Sequence, residues 1–146
     1  MRFDDISGAQ HVKRALEVAA AGHHTVSLFG EGCITALAIL ADSIGVEVVG
    51  SGADITIEVP IVPEWERDSP SEPHEHVMRR IEGYVDRDLP MNELAEGLLG
   101  YGIRHSSLTP AEVERVISVA LTIANLAGDK SIHTAYMAEA LQYVRN

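Results

Sequence analysis

Apolar residues along this chain fall into two periods, one of about four residues and one of two, and the change between them sets out the expected elements. Val12, Ala15, Leu16, Ala19 and Ala20 share one helical face, and Gly22 ends the pattern, so residues 9–21 are expected to be helical. Ser7 and Gln10 have the S-x-x-Q spacing of a capping box at its start. Residues 24–30 then read as a strand closed by Gly30 and Gly32, followed by a small-residue and aliphatic helix over 33–44. Val46–Val49 and Asp54–Val59 read as two more strands around the Gly50-Ser51-Gly52 turn. A helix between the first and second strands implies a small parallel sheet of about three strands, an α/β class.

Residues 60–73 hold four prolines and mixed charge, which predicts an extended surface linker. The expected boundaries are an α/β unit over 1–60, a linker over 61–73 and a helical subdomain over 74–146. Helices are expected at about 73–85 and 91–99. A third should start at Thr109, where Pro110 and Glu112 supply an N1 proline and a capping acid. Val113, Val116, Ile117, Ala120 and Ala124 form its apolar face, and Gly128 stops it. A last helix over 134–145 should turn Met137, Ala138, Leu141 and Val144 inward.

The net charge of −11 is unevenly spread, since residues 60–96 carry ten acids against four arginines. Without a basic cluster for counterion release, direct nucleic-acid binding is not expected. The single cysteine, Cys33, cannot form an internal disulfide, and neither a signal peptide nor a membrane span is read, so a cytoplasmic protein is expected.

Three blocks carry a resemblance. They are Phe3–Gln10 with Lys13–His24, then Asp54–Pro60, then Thr122–Gly128 with Ala138–Tyr143. Together they resemble the magnesium-chelatase I-subunit family of AAA+ ATPases, and most closely its competence-related ComM branch. The resemblance implies a nucleotide-binding core followed by an AAA+ lid-like helical subdomain. Relatives act as ring ATPases that insert magnesium into porphyrins or drive DNA branch migration.

The phosphate loop of such an ATPase needs G-x-x-x-x-G-K-[ST], in which backbone amides cradle phosphate, lysine neutralises it and a hydroxyl holds magnesium. Here Gly30-Glu31-Gly32-Cys33-Ile34-Thr35 is about two residues short, and Ile34 stands where lysine is needed. No acidic metal-holding strand lies between the following helix and Asp54. The family's two arginines correspond to Gly52 and Leu121. A pseudo-ATPase is expected, because phosphoryl transfer depends on positioning and charge neutralisation.

Gly30, Gly32 and Thr35 are the candidate cofactor-binding residues, although a tight strand-to-helix turn accounts for the glycines equally simply. No resident cofactor is expected, with ATP and magnesium kept as the alternative at that loop. His74, Glu75 and His76, near Glu72, are the strongest metal candidates, but positions i and i+2 do not share a helical face. His23 and His24 read as turn residues and Cys33 as a small buried one. Trp65, the sole tryptophan, is either a partner anchor or folded back over the sheet edge. The leading expectation is a noncatalytic scaffold that associates with itself or with a full-length AAA+ relative.

Overall fold

The computed structural model describes residues 1–144. A 3-10 turn at Phe3–Asp5 leads into α1 (Gln10–Gly22), β1 (Val26–Phe29), α2 (Ile34–Ser43) and β2 (Ile55–Glu58). A single helical turn, α3 (Glu64–Arg67), follows, and then α4 (His74–Glu82), α5 (Glu93–Ser106), α6 (Pro110–Leu126) and α7 (Thr134–Val144). Residue 145, which the last helix was expected to include, lies outside the described residues.

Helix α1 begins where its apolar period predicts, and Val12, Ala15, Leu16 and Ala19 are buried. The expected Ser7–Gln10 box does not form. Gly8 and Ala9 both take left-handed backbone, at φ 69° and 54°, and Ala9 occupies the N-cap without a side-chain bond. A Cβ on Gly8 would stand 2.5 Å from the Val62 side chain. The turn is therefore set by the close approach of the linker, which overrides local capping chemistry.

The sheet is smaller than expected. β1 and β2 pair in parallel, with Val26 opposite Ile55 and Phe29 opposite Glu58. The expected third strand, Val46–Val49, makes only an isolated bridge, Val48 to Val26. Val26 donates to Glu47 O at 3.0 Å and accepts from Val49 at 2.8 Å. The cause is connectivity, because both segments run parallel to β1 on opposite sides of it. Parallel neighbours need a long return, on the order of a dozen residues. Residues 50–54 are too few for one, so the chain crosses beneath the first residue of β1 before the outer strand can lengthen.

The linker is mostly extended but carries the α3 turn. Helix α4 ends at Glu82, short of the expected 85, whereas α5 runs to Ser106 and not to 99. Asn92 caps α5 by accepting from the Ala95 amide at 2.8 Å. Gly102 lets α5 lie close to α7, since a Cβ there would be 3.1 Å from Leu141 Cδ2. The cap of α6 forms as its sequence predicts: Thr109 Oγ1 accepts from Glu112 at 3.2 Å, and the Glu112 carboxylate accepts from Thr109 at 3.0 Å. In α7 the buried residues are Met137, Ala140 and Tyr143, while Ala138, Leu141 and Val144 are half-buried. The inward face is thus rotated from the expected one. Buried side chains from both sides of the linker, from Phe3 to Tyr143, belong to one hydrophobic core. Helix α1 lies at its centre, touching β2, α4 and α6.

Candidate functional site

β1 delivers the chain to the glycine loop, and the geometry of that loop is decided by the exit of β2. Gly30 turns the backbone at φ 117°, and a Cβ there would lie 2.5 Å from Val59 O. The Gly32 amide donates to Val59 O at 2.9 Å. A Cβ on Gly32 would collide with Pro60 O and lie 2.8 Å from Val59 Cγ1. The Ile34 amide donates to Gly32 O at 2.8 Å. The Gly32 and Ile34 amides are therefore engaged by the protein itself, and the main chain of Val59–Pro60 packs closely against the loop. Ile34 packs against the core. Thr35 is exposed on the first turn of α2, and Glu31 is exposed beside it. Cys33, half-buried, occupies the N-cap of α2 without a side-chain cap bond.

Beside this loop lies an open groove of 420 Å³ between the N-terminal turn, the start of α2 and the linker. Ala36, Ile61 and Val62 give it an apolar lining, to which Asp5, Glu31 and Arg67 add charge. Trp65 sits on α3, the turn that also carries Arg67. It is 75% exposed and does not fold back over the sheet edge.

Lys13, one turn into α1, does not serve the loop. Its Nζ donates to the Ile6 carbonyl and, at 3.4 Å, to Ser71 Oγ, and burial lowers its pKa. The other buried charge on α1 is Glu17. Arg80 of α4 donates to both Glu17 carboxylate oxygens at 2.9 Å, and its remaining donors reach Glu72 at 2.6 and 2.7 Å. Hydrogen bonding by Arg80 pulls the Glu72 carboxyl below its ordinary value, and the same contacts raise Arg80. Arg14 joins Glu17 to Glu139 of α7. Tyr143 donates to Glu139 at 2.5 Å, and burial raises that phenol. Helices α1, α4 and α7 are thus clamped by one charge network, which nothing in the sequence spacing announces.

His23 ends α1 in left-handed backbone. His24 is buried, with Nε2 2.8 Å from Thr122 Oγ1 of α6 and Nδ1 3.7 Å from an Asp54 carboxylate oxygen. Burial lowers its pKa against the opposing pull of Asp54. Sequence reading found no acid for it because Asp54 is 30 positions away. His74 opens α4 and accepts from the Phe3 amide at 3.0 Å, while Asp4 accepts from the His74 amide at 3.1 Å. An Arg2 hydrogen bond, aided by the His74 amide, pulls Asp4 down to about 2. His76 lies on the same helix, two positions from His74, so the two imidazoles point to different sides. Among the described residues, no three His, Cys, Asp or Glu side chains are grouped to hold a metal ion. No described helix is long and apolar enough to cross a membrane.

The same two blocks that build the loop and the helical half match known sequence families. The family described as magnesium chelatase, subunit ChlI, matches residues 2–45, and the one described as magnesium chelatase, subunit ChlI C-terminal, matches residues 74–144. The chain belongs to the magnesium-chelatase-like family. No curated protein matches it. Within the family frame, the two matched segments leave out residues 46–73, which hold the aborted outer strand, β2 and the linker. The helices after the linker are consistent with the family's lid-like subdomain.

Proposed function

We propose that this magnesium-chelatase-like chain is a noncatalytic AAA+-type module that works by associating with other protein, either a second copy or a full-length family member. The observation that carries this reading is the Gly32 amide held by Val59 O, with Pro60 O packed where a Cβ on Gly32 would stand. Ile34 in place of a cation and Glu31 beside the loop add to it, because transferring a phosphoryl group requires neutralising its charge. These residues do not fit magnesium–ATP, and no chemical step is assigned to the chain.

Calorimetric titration with ATP and magnesium, run beside a phosphate-release assay, tests the reading. Neither binding nor turnover is expected. Turnover would overturn it. Binding without turnover, weakened by Thr35→Ala, would favour instead a nucleotide sensor at the N-terminus of α2, where the Thr35 and Ala36 amides point outward from the first turn.

A further inference from the structure

We infer that the outward face of α5 is where two copies of this chain pair, helix against helix and antiparallel about a two-fold axis. The inference rests on the association reading above and names both the partner and the surface. Leu94, Leu98, Tyr101 and His105 stand 4, 3 and 4 residues apart. At 3.6 residues per turn they fall within about 60° of one another as a continuous stripe, with the spacing of the seam between two paired helices. This is not the side that holds α5 to the protein, because Ala95 and Leu99 are the buried residues of the helix and α7 is the neighbour it packs against. Leu94 is 75% exposed and Tyr101 54%, with Leu98 half-buried between them. Tyr101 and His105 stack with ring centroids 3.8 Å apart, and His105 Nδ1 donates to the Tyr101 carbonyl at 3.2 Å. Both side chains are thus ordered before a partner arrives, which lowers the entropy cost of burying them.

Charge selects a second copy as the occupant. The chain carries −11 overall, and residues 15–66 hold eight acids with no lysine or arginine, so two copies in general repel. Residues 97–111, in contrast, contain Arg104 and no acid. Glu93 and Arg104 lie on the same flank of the stripe, near its two ends, and neither has an ion-pair partner among the described residues. A two-fold axis crossing the stripe midway between Leu98 and Tyr101 sets each Leu98 against the partner's Tyr101 and each Leu94 against the partner's His105. The same axis brings Glu93 within reach of the partner's Arg104, twice over by symmetry, and opposes the two helix dipoles. A parallel pairing would put glutamate on glutamate and arginine on arginine. The face is therefore self-complementary in one orientation, as a two-fold interface requires. Four positions bury less than the roughly 800 Å² per partner of a standard interface, so the pairing should be weak, micromolar or above.

Sedimentation velocity of the full chain, from about 1 to about 300 µM, reads the pairing. We expect a monomer–dimer equilibrium. Leu94→Ser and Tyr101→Ser, both at exposed positions, should each raise the dissociation constant about tenfold or more, because each change acts on both sides of the axis. Arg104→Glu should raise it about threefold or more, and adding Glu93→Arg should bring it back toward the parent value, as the antiparallel order requires. Far-ultraviolet circular dichroism, unchanged in every variant, separates lost pairing from lost fold.

A monomer at every concentration would overturn the inference. So would a dimer indifferent to Leu94→Ser and Tyr101→Ser, or one that the double charge exchange fails to restore. Flotation of a monomeric protein with phospholipid vesicles, abolished by the same two serine variants, would assign the stripe to a membrane and overturn the pairing too. Phosphate release from magnesium–ATP by a protein that still pairs would overturn the noncatalytic reading alone. A monomer that neither binds nor hydrolyses ATP would overturn the pairing alone.

Discussion

Replacing Gly32 by alanine separates a structural glycine from a phosphate-loop glycine. In an open anion cradle a methyl group at this position faces solvent or ligand, and the apoprotein tolerates it. Here the added Cβ meets Pro60 O and lies 2.8 Å from Val59 Cγ1, so the β2 exit must move. Overpacking of this kind costs about 1–3 kcal/mol. Loss of the Gly32 to Val59 hydrogen bond, 2.9 Å long in the native chain, adds about 1 kcal/mol. The total of about 2–4 kcal/mol corresponds to a fall in melting temperature of about 5–15 °C for a chain of this size. Gly97→Ala is the matched control, since Gly97 is exposed inside α5 and nothing lies within 4 Å of its added Cβ. That change should stabilise by about 0.5–1 kcal/mol through helix propensity. Thermal melts followed by circular dichroism, with urea titrations of the same proteins, read both. A Gly32→Ala protein that melts at or above the parent temperature would refute the filled-loop geometry and reopen the cradle to phosphate.

Arg80→Ala should destabilise by about 2–3 kcal/mol in urea unfolding. It leaves Glu17, whose side chain is 5% exposed, with only Arg14 at 3.5 Å, and both that contact and water entering where the 40% exposed Arg80 stood hold the cost below that of a fully buried pair. A loss under about 0.5 kcal/mol, the level of an exposed ion pair, would show that the α1–α4 clamp does not bear on stability. For His24, burial holds the folded pKa below the ordinary 6.5, so the fold favours the neutral ring. Its contribution is complete above 6.5 and is lost as pH falls from 6.5 through the folded value. Histidine NMR titration should therefore place His24 below 6.5, and His24→Gln should flatten the decline in stability over that window; titration at or above 6.5 would refute the buried, Thr122-bonded placement.

What the sequence discloses here is what short-range chemistry decides. Thr109, Pro110 and Glu112 start α6 within four residues, and the whole cap lies in that stretch. The length of α5 was not legible because Gly97, Gly100 and Gly102 lower its helix propensity, whereas in the fold Gly102 serves contact with Leu141 of α7. The Ser7–Gln10 box failed for a related reason, since Val62 arrives from beyond β2 to fix Gly8. That Ile34 follows the glycine pair was legible, but the close approach of Val59 and Pro60 to that loop was not. Nor could the sequence show that Arg80 lies over Glu17, because 63 positions separate them. Trp65 was legible as a candidate, and its exposure was a matter for the folded linker to decide.

The cation-free stretch from Ala15 to Glu66 has a practical consequence for handling the protein. Trypsin has no cleavage site between Arg14 and the exposed Arg67, so α1 beyond its first turn, both strands, α2 and all of α3 must leave a digest as one peptide. Amine-directed crosslinkers find no lysine there either, since Lys13 and Lys130 are the only two in the chain. Any lysine crosslink to this half of the molecule therefore reports on the buried Lys13 or on the N-terminal amine, and the rest of the stretch stays invisible to that chemistry. Carboxylate-directed reagents are the ones that would map it.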